Sequence, residues 1–147
     1  MTDNRSILVV EDSPEDWKIM QRAIGRSNLK NKITRVADGD DALDYLYRRG
    51  AWIDASKAPR PGIILLDLNL PGMDGREVLS EIKSAPVLCT IPVVVLTTSK
   101  DERDIESCYA LGANSYINKP VDMEGFLTAL ARLKDYWFEI VVLPRGE

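Results

Sequence analysis

The chain has 147 residues, of which 45% are hydrophobic and 29% are charged, so it is long enough to form one globular domain with an adequate core. Its net charge of -4 argues against a broad surface for nucleic acid or for an anionic membrane, because either would need an excess of Lys and Arg. The chain has no histidine, which excludes a His-based catalytic triad, and Cys89 and Cys108 lack the spacing of a zinc site.

The N-terminus lacks the apolar core of a signal peptide, and no apolar run is long enough to span a bilayer. We therefore expect a cytoplasmic protein whose two cysteines are reduced thiols. Neither nucleic acid nor a membrane is expected as a partner.

The first aliphatic run, at residues 7–10, predicts a strand that ends in two acids, Glu11 and Asp12. Ser13 then has the position of an N-cap, with proline at the first helical position and an acid three residues after the cap. The apolar spacing that follows predicts a helix to about residue 27.

A second, weaker strand is predicted at residues 33–36, and Asp38 opens a helix that should stop before Gly50. Residues 48–62 lose any regular period and are rich in proline and glycine. They predict a loop of unusual length, with a short helical turn around Trp52.

The run Ile-Ile-Leu-Leu at residues 63–66 reads as a strand buried on both faces, and it leads directly into the ionisable Asp67. Because burying an unpaired charge is costly, such a group should lie at the mouth of the fold, where a cation or a reaction can use it. Turn signals at 71–75 then return the chain to a helix at about 76–84.

The most β-prone run, at residues 93–96, ends in the hydroxyl group of Thr97. The sequence from Ser99 to Glu102 has the form of a capping box, which predicts a helix extending to Leu111.

A short strand at residues 115–118 ends in Lys119 and Pro120, and Asp122 can cap the last helix. The apolar stripe of that helix comprises Phe126, Leu127, Leu130, Leu133 and Trp137. The domain core should therefore span about residues 6–137. The apolar tail at 138–147 either folds back on the domain or pairs with another chain, and we favour a homodimer through the last helix and this tail.

Five strands alternate with five helices, which is typical of an α/β fold with an open parallel sheet and helices on both faces. In such doubly wound folds the ligand site lies beyond the carboxyl ends of the strands. The side chains predicted at that edge are Glu11, Asp12, Asp67, Thr97 and Lys119.

These groups suit phosphoryl chemistry with a divalent cation. Mg²⁺ (or Mn²⁺) prefers oxygen ligands, which Asp12, Asp67 and the backbone carbonyl of Asn69 can supply, while Glu11 can assist through water. A carboxylate such as Asp67 can also act as a nucleophile toward phosphorus. The remaining two groups, an ammonium and a hydroxyl, can neutralise the charge on the transferred phosphoryl oxygens.

Four segments, taken together and in this order, resemble the receiver domain of two-component response regulators. They are Leu8-Val9-Val10-Glu11-Asp12, then Leu65 to Gly75, then Val94 to Thr98, then Gly112 to Pro120. The resemblance spans residues 6 to about 135. It implies a flavodoxin-like (βα)5 sheet in the strand order 2-1-3-4-5.

The resemblance also implies a role for each site residue. Asp67 would be the phosphoacceptor, Glu11 and Asp12 the acid pair for the metal, Thr97 the switch hydroxyl, Lys119 the phosphoryl partner and Tyr116 the rotating aromatic. A cis peptide bond between Lys119 and Pro120 is implied as well. The expected partners are a sensor histidine kinase and an unidentified downstream protein.

Two departures from the usual receiver are visible. Glu11 stands where many members carry Asp, and residues 48–62 lengthen the spacing between the first acids and Asp67. This loop and the tail after Trp137 resemble the stand-alone regulators of bacterial phytochrome histidine kinases. The chain would then be a phosphoacceptor signalling protein and not an enzyme acting on other substrates.

One alternative is a Mg²⁺-dependent phosphohydrolase that forms an aspartyl phosphate on its way to product. The sequence Asp67-Leu68-Asn69 weakly suggests it, but such enzymes generally want a second acid where Asn69 stands. A flavodoxin-like cofactor binder is disfavoured because the first strand is followed by acids that would repel a phosphate.

Overall fold

A computed structural model describes residues 5–27 and 30–140 of the chain. The strands are β1 (Ile7–Val10), β2 (Ile33–Val36), β3 (Ile63–Leu66), β4 (Val93–Thr97) and β5 (Ser115–Asn118). The α-helices are α1 (Pro14–Arg26), α2 (Gly39–Tyr47), α3 (Gly75–Ser84), α4 (Glu102–Ala110) and α5 (Met123–Leu133), and a π-helical segment (Lys134–Ile140) continues α5.

The five strands form one parallel sheet in the order β2-β1-β3-β4-β5, which confirms the predicted topology. In the register between the two central strands, Val10 lies opposite Leu66. These two residues are the last of β1 and β3, so the acids that follow them leave the sheet at the same level.

The central strands are buried on both faces, as the unbroken aliphatic runs predict. On β3, Ile64 and Leu66 pack with residues of α2, α3 and α4, while Ile63 and Leu65 pack with residues of α1 and α5. The sheet therefore separates two apolar layers, and its polar side chains emerge at the strand ends.

All five α-helices begin at a side chain that accepts a backbone N–H from the first turn. The capping residues are Ser13, Asp38, Asp74, Asp101 and Asp122. The predicted capping box at Ser99 is wrong. Its hydroxyl instead donates to the carboxylate of Asp104 (2.6 Å), so the helix starts two residues later, where Asp101 accepts the N–H of Arg103.

The predicted long loop at residues 48–62 is present and contains a short 3-10 helix (Gly50–Trp52). It is fastened to α2, because the indole N–H of Trp52 donates to Asp41 (2.8 Å) and the hydroxyl of Tyr45 donates to the carbonyl of Pro59 (2.8 Å). The loop joins the end of α2 to the start of β3. It therefore lies at the amino edge of the sheet, opposite the acids.

Most of the apolar tail at 138–147 lies outside the described residues, and its role stays a prediction. Trp137, the last residue of the predicted stripe, is 8% exposed and packs with the layer formed by α1 and α5. Within residues 5–27 and 30–140, no helix has the length and apolar character of a membrane span.

Candidate functional site

Three acids converge at the carboxyl edge of the sheet. Glu11 and Asp12 follow β1, and Asp67 follows β3. The backbone N–H of Asp67 donates to the carbonyl of Val10, the last residue of β1 (3.1 Å). One carboxylate oxygen from each acid lies within 4.8 Å of the other two. Glu11 and Asp67 are 2% and 6% exposed, so this charge sits largely out of water.

Lys119, the first residue after β5, places its ammonium group among these acids. Its Nζ lies 2.5 Å from Glu11 Oε1, 2.9 Å from Asp67 Oδ2 and 2.8 Å from Asp16 Oδ2. The backbone N–H of Lys119 also donates to the carbonyl of Thr97 (2.7 Å), which holds the end of β5 against β4. The structure thus brings together residues that are far apart in sequence.

Asp16 is the contact that the sequence analysis did not predict. It lies in the first turn of α1, where an acid is expected for the helix dipole alone. A signal was present, since this turn directly follows the acid pair at the end of β1.

Burial and charge pairing oppose each other in this cluster. Burial raises the pKa of the Glu11 carboxyl from 4.5 to about 7, although hydrogen bonds from Lys119 and from the Ser13 N–H lower it. For Lys119, burial lowers the pKa, but hydrogen bonds to Asp16, Glu11 and Asp67 outweigh it, and its pKa lies above 10.5. The ammonium stays charged and is shared by several carboxylates, so the site retains excess negative charge.

Thr97 and Tyr116 contact the same residue, Ser99, in the turn after β4. Thr97 is the last residue of β4 and is fully buried, and its Oγ1 accepts the N–H of Ser99 (3.5 Å). The hydroxyl of Tyr116, on β5, donates to the carbonyl of Ser99 (2.9 Å). Both side chains therefore contact the segment that joins β4 to α4.

The same turn is tied to two helices. The hydroxyl of Ser99 donates to Asp104 on α4, and Asp104 in turn forms an ion pair with Arg76 on α3. Arg76 also pairs with Asp74, its own N-cap residue (3.1 Å). The segment after Thr97 is thus held by hydrogen bonds on three sides.

Asn69 lies just beyond the phosphoacceptor candidate and is exposed. Its backbone N–H donates to Asp67 Oδ1 (3.1 Å), so each carboxylate oxygen of Asp67 has a donor: this amide and the Lys119 ammonium. The predicted use of the Asn69 carbonyl toward a metal stays a prediction.

The predicted cis bond before Pro120 is wrong in this structure, where the Lys119–Pro120 peptide is trans. For a bond before proline the two isomers differ by only about 0.5–1 kcal/mol, so tertiary contacts can select either. Here the trans chain already brings the Lys119 ammonium to the acids.

The donor set fits a hard divalent cation such as Mg²⁺ or Mn²⁺. Glu11, Asp12 and Asp67 offer three carboxylate oxygens in one place, and such ions take oxygen ligands while keeping part of their water shell. The shared ammonium leaves enough negative charge for a +2 ion. These three residues would hold it.

Comparison with known proteins agrees with this geometry. Residues 7–131 match the sequence profile of the response regulator receiver domain. The chain belongs to this family. The fold and the family expected from the sequence are thereby confirmed, and the receiver-domain family makes it a signalling protein.

Individual relatives cover nearly the whole receiver chain. The response regulator Rcp1 of Synechocystis sp. is 41% identical over 138 residues, which are 94% of this chain and 92% of Rcp1. The crystal structure of the phosphorylated cyanobacterial phytochrome response regulator RcpA superposes with a TM-score of 0.88 at 40% identity, over 97% of this chain and 100% of RcpA. The Mn²⁺-bound form of Rcp1 gives 0.84 at 40% identity, over 96% and 99%.

Proposed function

We propose that this protein accepts a phosphoryl group on Asp67 from the phosphohistidine of a sensor histidine kinase. The observation that carries the proposal is the cluster in which Glu11, Asp12, Asp67 and Lys119 meet at the carboxyl edge of the sheet. In the transfer, a carboxylate oxygen of Asp67 forms a bond to phosphorus. The bond from phosphorus to the imidazole nitrogen of the donor breaks, and its electron pair leaves with the imidazole.

Each residue of the cluster has a task in this step. Glu11, Asp12 and Asp67, with help from the Asn69 carbonyl, would hold a Mg²⁺ or Mn²⁺ ion, which would supply positive charge beside the transferred oxygens. The Lys119 ammonium, which is fixed before the reaction, stabilises charge on the same group without reorganisation. The hydroxyl of Thr97, at the end of the neighbouring strand, donates to a phosphoryl oxygen once it is present.

The output is a change of surface. Thr97 and Tyr116 both contact the turn at Ser99. When Thr97 turns to the phosphoryl group, the hydrogen bond that it accepts from the Ser99 N–H is lost and Tyr116 moves inward. The surface formed by α4 and β5 is altered as a result, and a downstream protein reads the new surface.

The kinase is expected to be of the phytochrome type. This rests on the similarity to Rcp1 and to the cyanobacterial phytochrome response regulator RcpA along almost the full length of the chain. The Mn²⁺-bound form of Rcp1 supports the choice of cation. Phosphotransfer to this protein from a light-sensing kinase would place it in the cytoplasm, where Cys89 and Cys108 remain free thiols.

The phosphohydrolase alternative is not favoured. The position of the second acid that such an enzyme needs is held by Asn69, whose backbone N–H contacts Asp67. The protein therefore catalyses only its own phosphorylation and dephosphorylation.

The proposed homodimer involves α5 and the tail. Tyr136, in the π-helical segment after α5, is 52% exposed and stacks edge-on against Trp137. Analytical ultracentrifugation should find a dimer for the full chain and a monomer for a chain ending at Trp137, the last residue before the tail. The same oligomeric state for both chains would show that the tail is not needed for the interface.

The test of phosphotransfer is intact mass after incubation with Mg²⁺ and acetyl phosphate. We expect the parent chain to gain one phosphoryl group, and the Asp67→Asn variant to gain none. The matched control is Asp54→Asn, which changes an exposed acid in the loop at the opposite edge of the sheet and should be labelled like the parent. Equal labelling of Asp67→Asn and the parent would overturn the proposal.

A further inference from the structure

Asp16 stands apart from the other two acids that contact Lys119. Glu11 and Asp67 are buried residues at strand ends, whereas the Asp16 side chain is 33% exposed and belongs to the first turn of α1. Asp16 Oδ2 nevertheless lies 2.8 Å from the ammonium, and this distance is within a few tenths of an ångström of those to Glu11 and Asp67. A helix residue 103 positions earlier in the chain thus meets the side chain that follows β5.

The three contacts of Lys119 differ in what happens to them during phosphotransfer. Asp67 loses its carboxylate charge when one oxygen becomes bonded to phosphorus. Glu11 belongs to the group of three acids that can bind a cation, and a cation there competes with the ammonium for its charge. Asp16 lies outside that group of three and is not the nucleophile, so neither event removes its charge.

A lysine side chain needs such a fixed partner. Its ammonium is a point charge on a flexible four-carbon stem, and ordering that stem is entropically costly. As the cation arrives, the contact of the ammonium with Glu11 weakens, and the charge of Asp67 passes to the phosphoryl oxygens, which the ammonium must then reach. The contact to Asp16 is the one that keeps the ammonium in place during this exchange.

We propose that Asp16 is a positioning residue that holds the Lys119 ammonium beside Asp67 throughout phosphorylation. This inference rests on the proposed function, since it assigns a task within the same reaction. Asp16 lies outside the group of three acids that could hold a metal, and it acts through Lys119.

Charge alone predicts the opposite result from positioning. An anionic phosphodonor is repelled by Asp16, so removing the charge would speed labelling if Asp16 acted only through the field of its carboxylate. If Asp16 positions Lys119, the Asp16→Asn variant should be labelled about tenfold more slowly at saturating Mg²⁺, which corresponds to losing about 1.4 kcal/mol from one charge-assisted hydrogen bond. Asp16→Glu, which keeps the carboxylate, should recover most of the rate.

A control and a double-mutant cycle separate positioning from a structural effect. Glu15→Gln removes a neighbouring exposed acid from the same helical turn and should keep the parent's rate. In a Lys119→Ala background, adding Asp16→Asn should have no further effect, because the group on which Asp16 acts is gone. Urea unfolding of each variant checks that the fold is retained, and Asp16→Ser serves if Asp16→Asn does not fold.

The outcomes distinguish the two proposals. If the parent is not labelled on Asp67, the proposed function fails. If the parent is labelled but Asp16→Asn is labelled as fast as Glu15→Gln or faster, the role of Asp16 is refuted and phosphotransfer stands. The same conclusion follows if Asp16→Asn slows labelling by the same factor in the Lys119→Ala background as in the parent.

Discussion

Replacing Gly75 by alanine should shift the backbone at Asp67, the proposed phosphoacceptor. Gly75 is the first residue of α3, and its N–H donates to the carbonyl of Leu68 (3.0 Å). The start of the helix therefore packs directly against the backbone of residues 67–68. A Cβ atom at Gly75 would lie 2.5 Å from the Leu68 Cα and 2.9 Å from its carbonyl oxygen, and closer still to the carbonyl oxygen of Asp67. All of these are backbone atoms, which cannot turn away as a side chain can.

The expected cost follows from that geometry. Forcing one methyl group into a packed backbone contact costs about 1–3 kcal/mol of unfolding free energy, and the better helix propensity of alanine returns at most about 1 kcal/mol. We expect a net loss of about 1 kcal/mol. Because the clash is resolved by moving residues 67–68, the rate of Asp67 labelling should fall as well.

Gly25 provides the matched control, since a Cβ there meets nothing within 4 Å and the residue is exposed in the last turn of α1. Gly25→Ala should raise the unfolding free energy by about 0.5 kcal/mol through helix propensity and leave labelling unchanged. Urea unfolding and the mass assay measure both quantities. The reasoning fails if Gly75→Ala unfolds at the parent's midpoint and is labelled at the parent's rate.

Three further changes test other parts of the structure. Lys119→Ala leaves buried carboxylates without the ammonium, so the urea midpoint of the variant should be lower than that of the parent. Added Mg²⁺ should raise the midpoint of the variant by more than it raises the midpoint of the parent, and equal increases would contradict this. Trp52→Phe removes the hydrogen bond to Asp41 and should cost about 1 kcal/mol in urea unfolding, with labelling unaffected because the loop lies at the other edge of the sheet. Asp104→Asn weakens the hold on Ser99, so amide hydrogen exchange at residues 98–101 should quicken, and unchanged exchange would show that the turn is held by other contacts.

The topology was predictable because two simple signals agree along the chain. Unbroken aliphatic runs such as Ile63 to Leu66 mark strands buried on both faces, and each is followed by a capped amphipathic helix. The right-handed crossover then leaves few ways to order five parallel strands. The acids at the ends of β1 and β3 had to lie together for the same reason.

Details that depend on side-chain reach were not predictable in this way. The ammonium of Lys119 extends from the end of β5 to Asp16 on α1, and no local pattern indicates how far a lysine side chain will reach across a sheet edge. The start of α4 was misplaced because both Ser99 and Asp101 are good N-caps. The choice between them depends on Asp104, which takes the Ser99 hydroxyl.

The loop at 48–62 was likewise predictable in part. Its length and irregular sequence were visible, and so was the helical turn at Trp52. Its attachment to α2 through Asp41 and through the carbonyl of Pro59 was not, since these hydrogen bonds form only after the loop has folded over the helix.

The contacts of Lys119 have a consequence for how the chain acquires its activity during synthesis. Its hydrogen bonds to Asp67 and Asp16 close loops of 52 and 103 residues, so the ammonium can enter the cluster only after almost the whole domain has been made. A growing chain that has produced Asp67 but not β5 carries the nucleophile without its fixed cation. Rapid acceptance of a phosphoryl group should therefore come late in synthesis, once the last strand has docked and the ammonium has reached Asp67.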